Sequence, residues 1–172
     1  MTCSSINSGR SLSCRDSVGG IKKVRIAEFA TMTGYTLSAS NVVTGITMSG
    51  DSSFYAYELI KDTSSYEEVT TANNENGTVI SEGTLTLIFS KAETSTRNQI
   101  RAMAQKDMAI IIEYNDGTYW LIGASRGATL ATSTNSSGTV LGDRNGYTIV
   151  INSREPEQAY EVSSSIIADI TA

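Results

Sequence analysis

The residue types that most often carry enzyme chemistry are sparse in this sequence. The chain of 172 residues contains no histidine, which is the commonest general base at neutral pH and the commonest ligand of transition metals. Its two cysteines, Cys3 and Cys14, lie in a serine-rich stretch without further metal ligands, so we interpret them as reduced thiols. No phosphate-binding loop, dinucleotide-binding glycine pattern, nucleophile elbow or calcium loop occurs. We therefore predict a protein that is not an enzyme and uses no cofactor or metal.

Two pairs of carboxylates deserve consideration as an acid and a base. Glu67 and Glu68 are adjacent in a predicted strand, where successive side chains point to opposite faces. Glu113 and Asp116 lie at a predicted hairpin turn, where acidic residues commonly hold the local backbone. We interpret both pairs as structural.

Two further groups are candidates for binding. Trp120, Tyr119 and Tyr114 lie on a predicted hairpin, and aromatic residues in such positions usually pack in a core or an interface rather than stack on a ligand. Asp143 and Arg144 lie in a loop flanked by glycines. The Arg144 side chain is equally compatible with a contact across a subunit boundary and with a contact inside its own loop.

Composition narrows the class of protein. The chain has 18 acidic and 13 basic residues, a net charge of −5, and its basic residues are dispersed, which disfavours tight binding to the DNA backbone. Its apolar residues form short runs, none long enough to cross a bilayer. The N-terminus lacks the features of a secretory signal. We predict one soluble domain made in the cytoplasm, without a membrane segment.

Short runs of β-branched and aromatic residues between Ser, Thr, Gly and Asn predict a mainly β fold. The clearest strand alternates Leu85, Leu87 and Phe89 with threonines. Asn115-Asp116-Gly117 predicts a tight hairpin turn. The predicted strands are 22–29, 35–37, 42–48, 54–60, 66–71, 84–89, 108–114, 118–123 and 147–153.

One helix is predicted, at about 90–106. Ser90 and Glu93 have the spacing of a capping box, and Ile100 and Met103 form an apolar stripe. Its basic residues Arg97 and Arg101 lie on the side available to water or to a partner. Residues 124–146 are polar and predict a long loop, which in a compact domain usually has a purpose.

With this order of elements, the sequence resembles the tail tube proteins of tailed bacteriophages, in particular virion structural proteins from phages of marine and gut bacteria. The resemblance extends over nearly the whole chain. The segments that carry it are Ser13 to Val24, Gly83 to Phe89, Gly142 to Tyr147, Glu155-Pro156 and Glu161 to Ile167.

The resemblance implies a two-sheet β-sandwich or barrel with one flanking helix, as a single domain over residues 1–172. Residues 1–20 would form an N-terminal arm and 156–172 a C-terminal segment. Copies would close into a ring, expected to be a hexamer, and rings would stack into a tube that conducts viral DNA during ejection without binding it specifically. A loop around 38–52 or one around 131–146 would bridge rings. Possible inter-subunit contacts are Arg144, Asp143, Arg97 and Arg101.

The partners implied are other copies of the chain and other phage tail proteins, and the implied location is the virion tail, assembled in the host cytoplasm. A head-to-tail connector, a tail terminator or a capsid decoration protein fits the same composition and fold class. A carbohydrate-binding or adhesion module is the alternative from another class, and it requires an accessible aromatic platform around Trp120.

Overall fold

The computed structural model describes residues 8–11 and 17–172. The fold is mainly β, with 51% strand and 12% helix, which confirms the prediction of a mainly β chain. Cys3, Cys14 and most of the predicted arm over residues 1–20 lie outside the described residues. The described strands are β1 Ile21–Glu28, β2 Met32–Leu37, β3 Val43–Met48, β4 Tyr55–Glu58, β5 Ser65–Asn73, β6 Thr78–Ser90, β7 Met108–Tyr114, β8 Tyr119–Ile122, β9 Ala128–Ser136, β10 Gly146–Glu155 and β11 Tyr160–Val162.

The helical elements are short. Helix α1 spans Thr94–Met103 and helix α2 spans Ile167–Ile170. The 3-10 turn Phe29–Thr31 follows strand β1, and the 3-10 turn Ser164–Ile166 precedes helix α2. No described helix is long and apolar enough to cross a membrane.

The described strands form one large mixed sheet that does not close into a barrel. Its order is β2-β3-β11-β8-β7-β9-β10-β6-β5, and β1 pairs with both β7 and β4. Strands β7 and β9 pair only through Met108 and Ala128. That single pair divides the sheet into a seven-stranded section, β4-β1-β7-β8-β11-β3-β2, and a four-stranded section, β9-β10-β6-β5.

Strand β7 lies inside the seven-stranded section, between β1 and β8, and its sequence is apolar without alternation. Ile110 and Ile112 belong to one core cluster, whereas Ala109 and Ile111 belong to a second. All four are fully buried, as expected for a strand covered on both faces. The strand therefore separates two hydrophobic cores.

The first core cluster joins the two sections. Leu85 and Leu87 of β6 and Ile149 and Ile151 of β10 meet apolar side chains of β1 and β7 there, and Ile100 of α1 packs at its margin. The second cluster lies on the other face of β7 and includes Ile167 and Ile170 of α2. Alternation in β6, as predicted, buries one face of the four-stranded section and leaves the other uncovered.

The predicted start of the helix is wrong. Ser90 pairs with Gly146 and is the last residue of β6, and the residue before the helix, Glu93, makes no capping hydrogen bond with its side chain. The chain turns at Lys91, which has a positive φ of 69°. Helix α1 therefore occupies 94–103 rather than 90–106, because the β ladder extends farther than the capping pattern suggested.

The predicted loop over residues 124–146 is also wrong in its first half. Strand β9 occupies Ala128–Ser136 and pairs along its length with β10. Its Thr- and Ser-rich sequence is exposed from Ala131 onward, so it lacks the apolar alternation by which a half-buried strand is recognised. A shorter loop, 137–145, remains, and we call it the apical loop.

Candidate assembly surfaces

The uncovered face of the four-stranded section is mostly polar and weakly acidic, and it also carries the apolar residues Val69, Ile80, Ile88 and Val150. Residues directly opposite each other in the ladder share this face, for example Thr132, Val150 and Thr86 in one row and Thr134, Thr148 and Ile88 in the next. Its charged residues are Glu67, Glu82 and Arg154, two negative and one positive, which gives a net charge of −1. The threonines of this face are Thr71, Thr78, Thr84, Thr86, Thr129, Thr132, Thr134 and Thr148.

The two outer strands of this section have free edges in the described part of the chain. Strand β5 pairs only with β6, and β9 beyond Ala128 pairs only with β10. Each strand is nine residues long. Neither contains the proline or lysine that commonly protects an edge from pairing with another chain.

The directions of these strands make the two edges complementary. Three antiparallel pairs, β9 with β10, β10 with β6 and β6 with β5, separate the two edges. Strands β9 and β5 consequently run in opposite directions. If a second copy were placed beside the first in the same orientation, its β5 would face β9 in the antiparallel arrangement used throughout this section.

The apical loop is held by the two residues that the sequence singled out. The Asp143 carboxylate accepts hydrogen bonds from the backbone N–H groups of Thr139 and Val140, at 2.7 and 3.0 Å, and these bonds hold the pKa of Asp143 below its ordinary value. The Arg144 guanidinium donates to the Thr148 hydroxyl at 2.8 Å and to the Tyr147 carbonyl at 3.2 Å. Asp143 therefore stabilises the apical loop itself, Arg144 ties the end of that loop to β10, and their predicted role between subunits stays a prediction.

Glycine is required where the apical loop joins β10. A Cβ atom on Gly146 would clash with the backbone carbonyl of Phe89. The strands approach closely here because Gly146 continues the ladder to Ser90. The C-terminal end of the apical loop is therefore fixed to the sheet.

Arg97 and Arg101 are exposed on α1, four residues apart and therefore on the same side of the helix. Among the residues that the structure describes, neither forms an ion pair. Within the described residues, neither arginine forms a hydrogen bond or ion pair with Asp143 or Arg144 of the apical loop. They remain candidates for contact with another molecule.

The carboxylates considered for catalysis have structural partners. Glu67 lies on the exposed face and Glu68 on the inward one, as predicted. Asp116 accepts hydrogen bonds from the N–H and hydroxyl of Thr118, which confirms its role in the turn. Glu113 is buried and contacts Arg25 at 2.9 Å and Lys22 at 2.8 Å. Burial acts to raise the pKa of Glu113, but these two cations hold it below its ordinary value.

The sequence did not predict that the half-buried Glu68 and the buried Glu155 lie close together. Glu68 accepts the N–H of Ala159 at 3.0 Å, and Glu155 accepts the N–H of Arg126 at 3.0 Å. Burial raises the pKa of both groups, and the charge of Glu155 raises that of Glu68 further. The space that they line has a volume of about 10 Å³, room for about one water molecule. The pair therefore anchors two turns and leaves no room for a substrate.

The aromatic residues of the hairpin are engaged in packing. The ring centroids of Trp120 and Tyr114 are 6.4 Å apart and the two rings are tilted relative to each other. Both side chains are partly buried against the first core cluster. The Trp120 indole N–H donates to Thr118 at 3.2 Å. Within the described ranges, no group of three or more acidic, cysteine or histidine residues is arranged to hold a metal ion.

Comparison of the chain with models of known protein families finds no match, and a search of curated proteins finds none either. The function is therefore inferred from the surfaces of the chain itself. Those surfaces are two complementary sheet edges, a polar sheet face and an ordered apical loop.

Proposed function

We propose that this chain is a virion structural protein, specifically the tail tube subunit of a bacteriophage, which assembles with copies of itself. The observation that carries the proposal is the pair of free edges on β5 and β9. Unpaired N–H and C=O groups on a strand edge are a template for another strand. Two edges of equal length and opposite direction at the two sides of one section allow copies to join side by side.

Such a contact is heterologous, because β5 of one copy meets β9 of the next. Heterologous contacts generate a ring if the rotation between copies closes, and an open filament if it does not. We propose a closed ring, with six copies as the resemblance to tail tube proteins implies. In such a ring the four-stranded sections would form a continuous barrel, and the seven-stranded sections with α1 would form a second, outer layer.

The uncovered face of the four-stranded section fits the lining of a channel for DNA. It carries two glutamates against one arginine, and no lysine. Binding to duplex DNA depends on cations that neutralise phosphates. A threonine-rich face with net negative charge would let DNA slide past without adhering.

Electron microscopy of the purified protein at high concentration, with light scattering for mass, tests this proposal. We expect tubes of stacked rings with a central channel. Isolated rings that do not stack would contradict a role as tube subunit and favour a tail terminator or head-to-tail connector. A protein that stays monomeric at its highest soluble concentration would contradict self-assembly and favour a decoration protein.

A further inference from the structure

The two free edges of the four-stranded section are displaced along the strands relative to each other. Strand β10 pairs with β9 on one side and with β6 on the other, so its residues provide one scale for both edges. On this scale β9 extends from the level of Gly146 to the level of Ser153. Strand β5 begins at the level of Val150, which lies opposite Thr86 of β6 and, through it, Ser65. Strand β5 therefore lies farther toward the C-terminal end of β10 than β9 does.

The far end of β5 projects beyond β10. The last residue of β10, Glu155, pairs with Ser81 of β6. Beyond this point, residues 71–73 of β5 and 78–80 of β6 continue the ladder as a two-stranded hairpin. This hairpin carries an exposed apolar side chain, Ile80, on the uncovered face. The far end of β5 therefore lies beyond every level that β9 occupies.

The displacement between the two edges amounts to four residues. Val69, the middle residue of β5, is level with Arg154 through β6. Thr132, the middle residue of β9, is level with Val150, four residues earlier in β10. A second copy placed at the same height would bring β5 beside β9 only between the levels of Val150 and Ser153. A copy moved by four residues along the strands brings the two edges together along the whole of β9.

The alternation of side chains restricts this movement to an even number of residues. Glu67 and Val69 of β5 lie on the uncovered face, as do Thr132 and Thr134 of β9. An odd displacement would join the uncovered face of one copy to the core side of the next. The two copies therefore keep their faces aligned only when the displacement is even.

Among the even displacements, four residues gives the longest ladder between copies. A displacement of two leaves Asn135 and Ser136, at the end of β9, without residues of β5 opposite them. A displacement of six carries Ser65 and Tyr66 past the end of β9. With four, Ser65 lies opposite Ser136, so the start of β5 and the end of β9 coincide. Each further hydrogen bond and cross-strand side-chain pair stabilises the contact.

A displacement of four residues also gives the inclination that a closed ring of strands requires. Four residues correspond to about 13 Å along a strand, and four strands correspond to about 19 Å across the section. In a ring of identical copies these two lengths incline the strands to the ring axis by about 35°, whatever the number of copies. Strands in closed barrels are inclined by roughly 35–45°. Displacements of zero and two residues fall well below that range.

We infer that β9 of one copy pairs with β5 of the next in this displaced register, with Thr132 opposite Val69 and Thr134 opposite Glu67. The partner is a second copy of this chain. The register is specified for residues 132–136, because the pairing of β9 with β10 is irregular between Thr132 and Leu130. The inference rests on the proposed self-assembly and adds to it the residues that meet across the lateral contact.

The register covers side chains that are exposed in the single copy. Val69 is 54% exposed, and Thr132 would pack on it as a pair of β-branched side chains. Thr134 brings a hydroxyl donor opposite the Glu67 carboxylate. Since β9 carries no charged residue, no like charges lie opposite each other.

Disulfide formation between copies tests the register. The chain carries Thr132→Cys and Val69→Cys, with both native cysteines replaced by serine. Two matched controls combine Thr132→Cys with Glu67→Cys or with Thr71→Cys, which are the neighbours of Val69 on the same face. The Cα atoms of directly opposite residues in paired strands are about 5 Å apart, whereas those of diagonal neighbours are about 7–8 Å apart. The longer distance is beyond the reach of a disulfide.

Oxidation of the assembled protein is expected to give a ladder of linked copies from the pair at 132 and 69, with at least about fivefold more product than either control gives. The two positions cannot link within one copy, because β10 and β6 separate them. More product from either control would overturn the register and leave the lateral contact standing. Assembly without a ladder from any of the three chains would overturn the pairing of β9 with β5. A wild-type protein that stays monomeric in light scattering would overturn both the register and the proposed function.

Two backbone amides of the wild-type chain distinguish the registers without any substitution. Successive N–H groups of a strand point to alternate sides. Ile88 donates its N–H to the Ser64 hydroxyl, just before β5. The N–H of Leu85, three residues earlier, therefore points toward β10, and that of its partner Tyr66 points to the free edge of β5. By the same alternation, the N–H of Asn135 points to the free edge of β9.

Hydrogen exchange read at single residues compares these amides in dilute monomer and in the assembly. A displacement of four places Tyr66 opposite Asn135, so the exchange of both N–H groups is expected to slow about tenfold or more on assembly. A displacement of two leaves the Asn135 N–H unpaired, and one of six leaves the Tyr66 N–H unpaired. Slower exchange of only one of the two amides, or of neither, would overturn the inferred register.

Discussion

The seven-stranded and four-stranded sections differ in how many of their faces are covered. In the first, strand β7 is buried on both faces and separates two cores. In the second, β6 and β10 bury Leu87 and Ile149 on one face and leave threonines on the other. The comparison indicates a difference in role: the seven-stranded section contributes to both hydrophobic cores, whereas the four-stranded section shares only the first core and presents an uncovered face and two edges.

The largest effect on stability is expected from Ile111→Ala in β7. Ile111 is fully buried in the second core cluster, and truncating such a residue leaves a cavity that costs about 2–5 kcal/mol. The matched change Thr86→Ala on the polar face should alter the free energy of unfolding by less than about 0.5 kcal/mol. Urea unfolding of monomeric protein measures both, and similar losses would refute the proposed difference in role.

A smaller loss is expected from Glu113→Gln, also in β7. The substitution leaves the buried Arg25 guanidinium without its counter-charge. This should lower the free energy of unfolding by about 2–3 kcal/mol at neutral pH. The loss is limited because Lys22, the second cation bound to Glu113, is exposed. The folded-state pKa of Glu113 is lowered, so its stabilising effect is present above the pKa of the unfolded chain. That effect is lost as the pH falls through the folded-state value.

Glu155→Gln in β10 is the control for this pH dependence. Burial raises the pKa of Glu155, so protonation favours the folded state and the wild type should gain stability as the pH falls through that raised value. The variant should lose this gain while keeping the acid sensitivity that comes from Glu113. Unfolding midpoints in urea across the pH range distinguish the two carboxylates, and identical profiles for both variants would contradict the assignments.

Local patterns predicted the elements whose signals are contained in a few residues. The alternation of Leu85 and Leu87 gave the core of β6, and Asn115-Asp116-Gly117 gave the turn between β7 and β8. Strand β9 was not predicted because both of its faces are largely exposed and its sequence therefore lacks a regular alternation of apolar residues. The helix start was misplaced because pairing between Ser90 and Gly146 competes with the capping pattern and prevails.

The buried polar contacts could not be predicted from the sequence for a different reason. Arg25 and Glu113 are 88 positions apart, and Glu68 and Ala159 are 91 apart. Contacts over such separations depend on which strands pair and in which register, and neither follows from composition or local period. For Arg144 the sequence left two roles open, and the structure gives this side chain hydrogen bonds to Tyr147 and Thr148 of β10 in the same chain, whereas Asp143 bonds within its own loop.

The most direct test of self-assembly through the edges of β5 and β9 is electron microscopy of two double variants. Thr132→Glu with Thr134→Glu places two carboxylates on edge strand β9, where β5 of the neighbour would bring Glu67 close, and like charges on paired strands are destabilising. Thr148→Glu with Val150→Glu makes the same change on the same face but on β10, which already has strands on both sides and no acidic residue opposite either position. We predict that the β9 variant stays monomeric while the β10 variant forms rings and tubes as the wild type does. Normal assembly of the β9 variant would contradict the account.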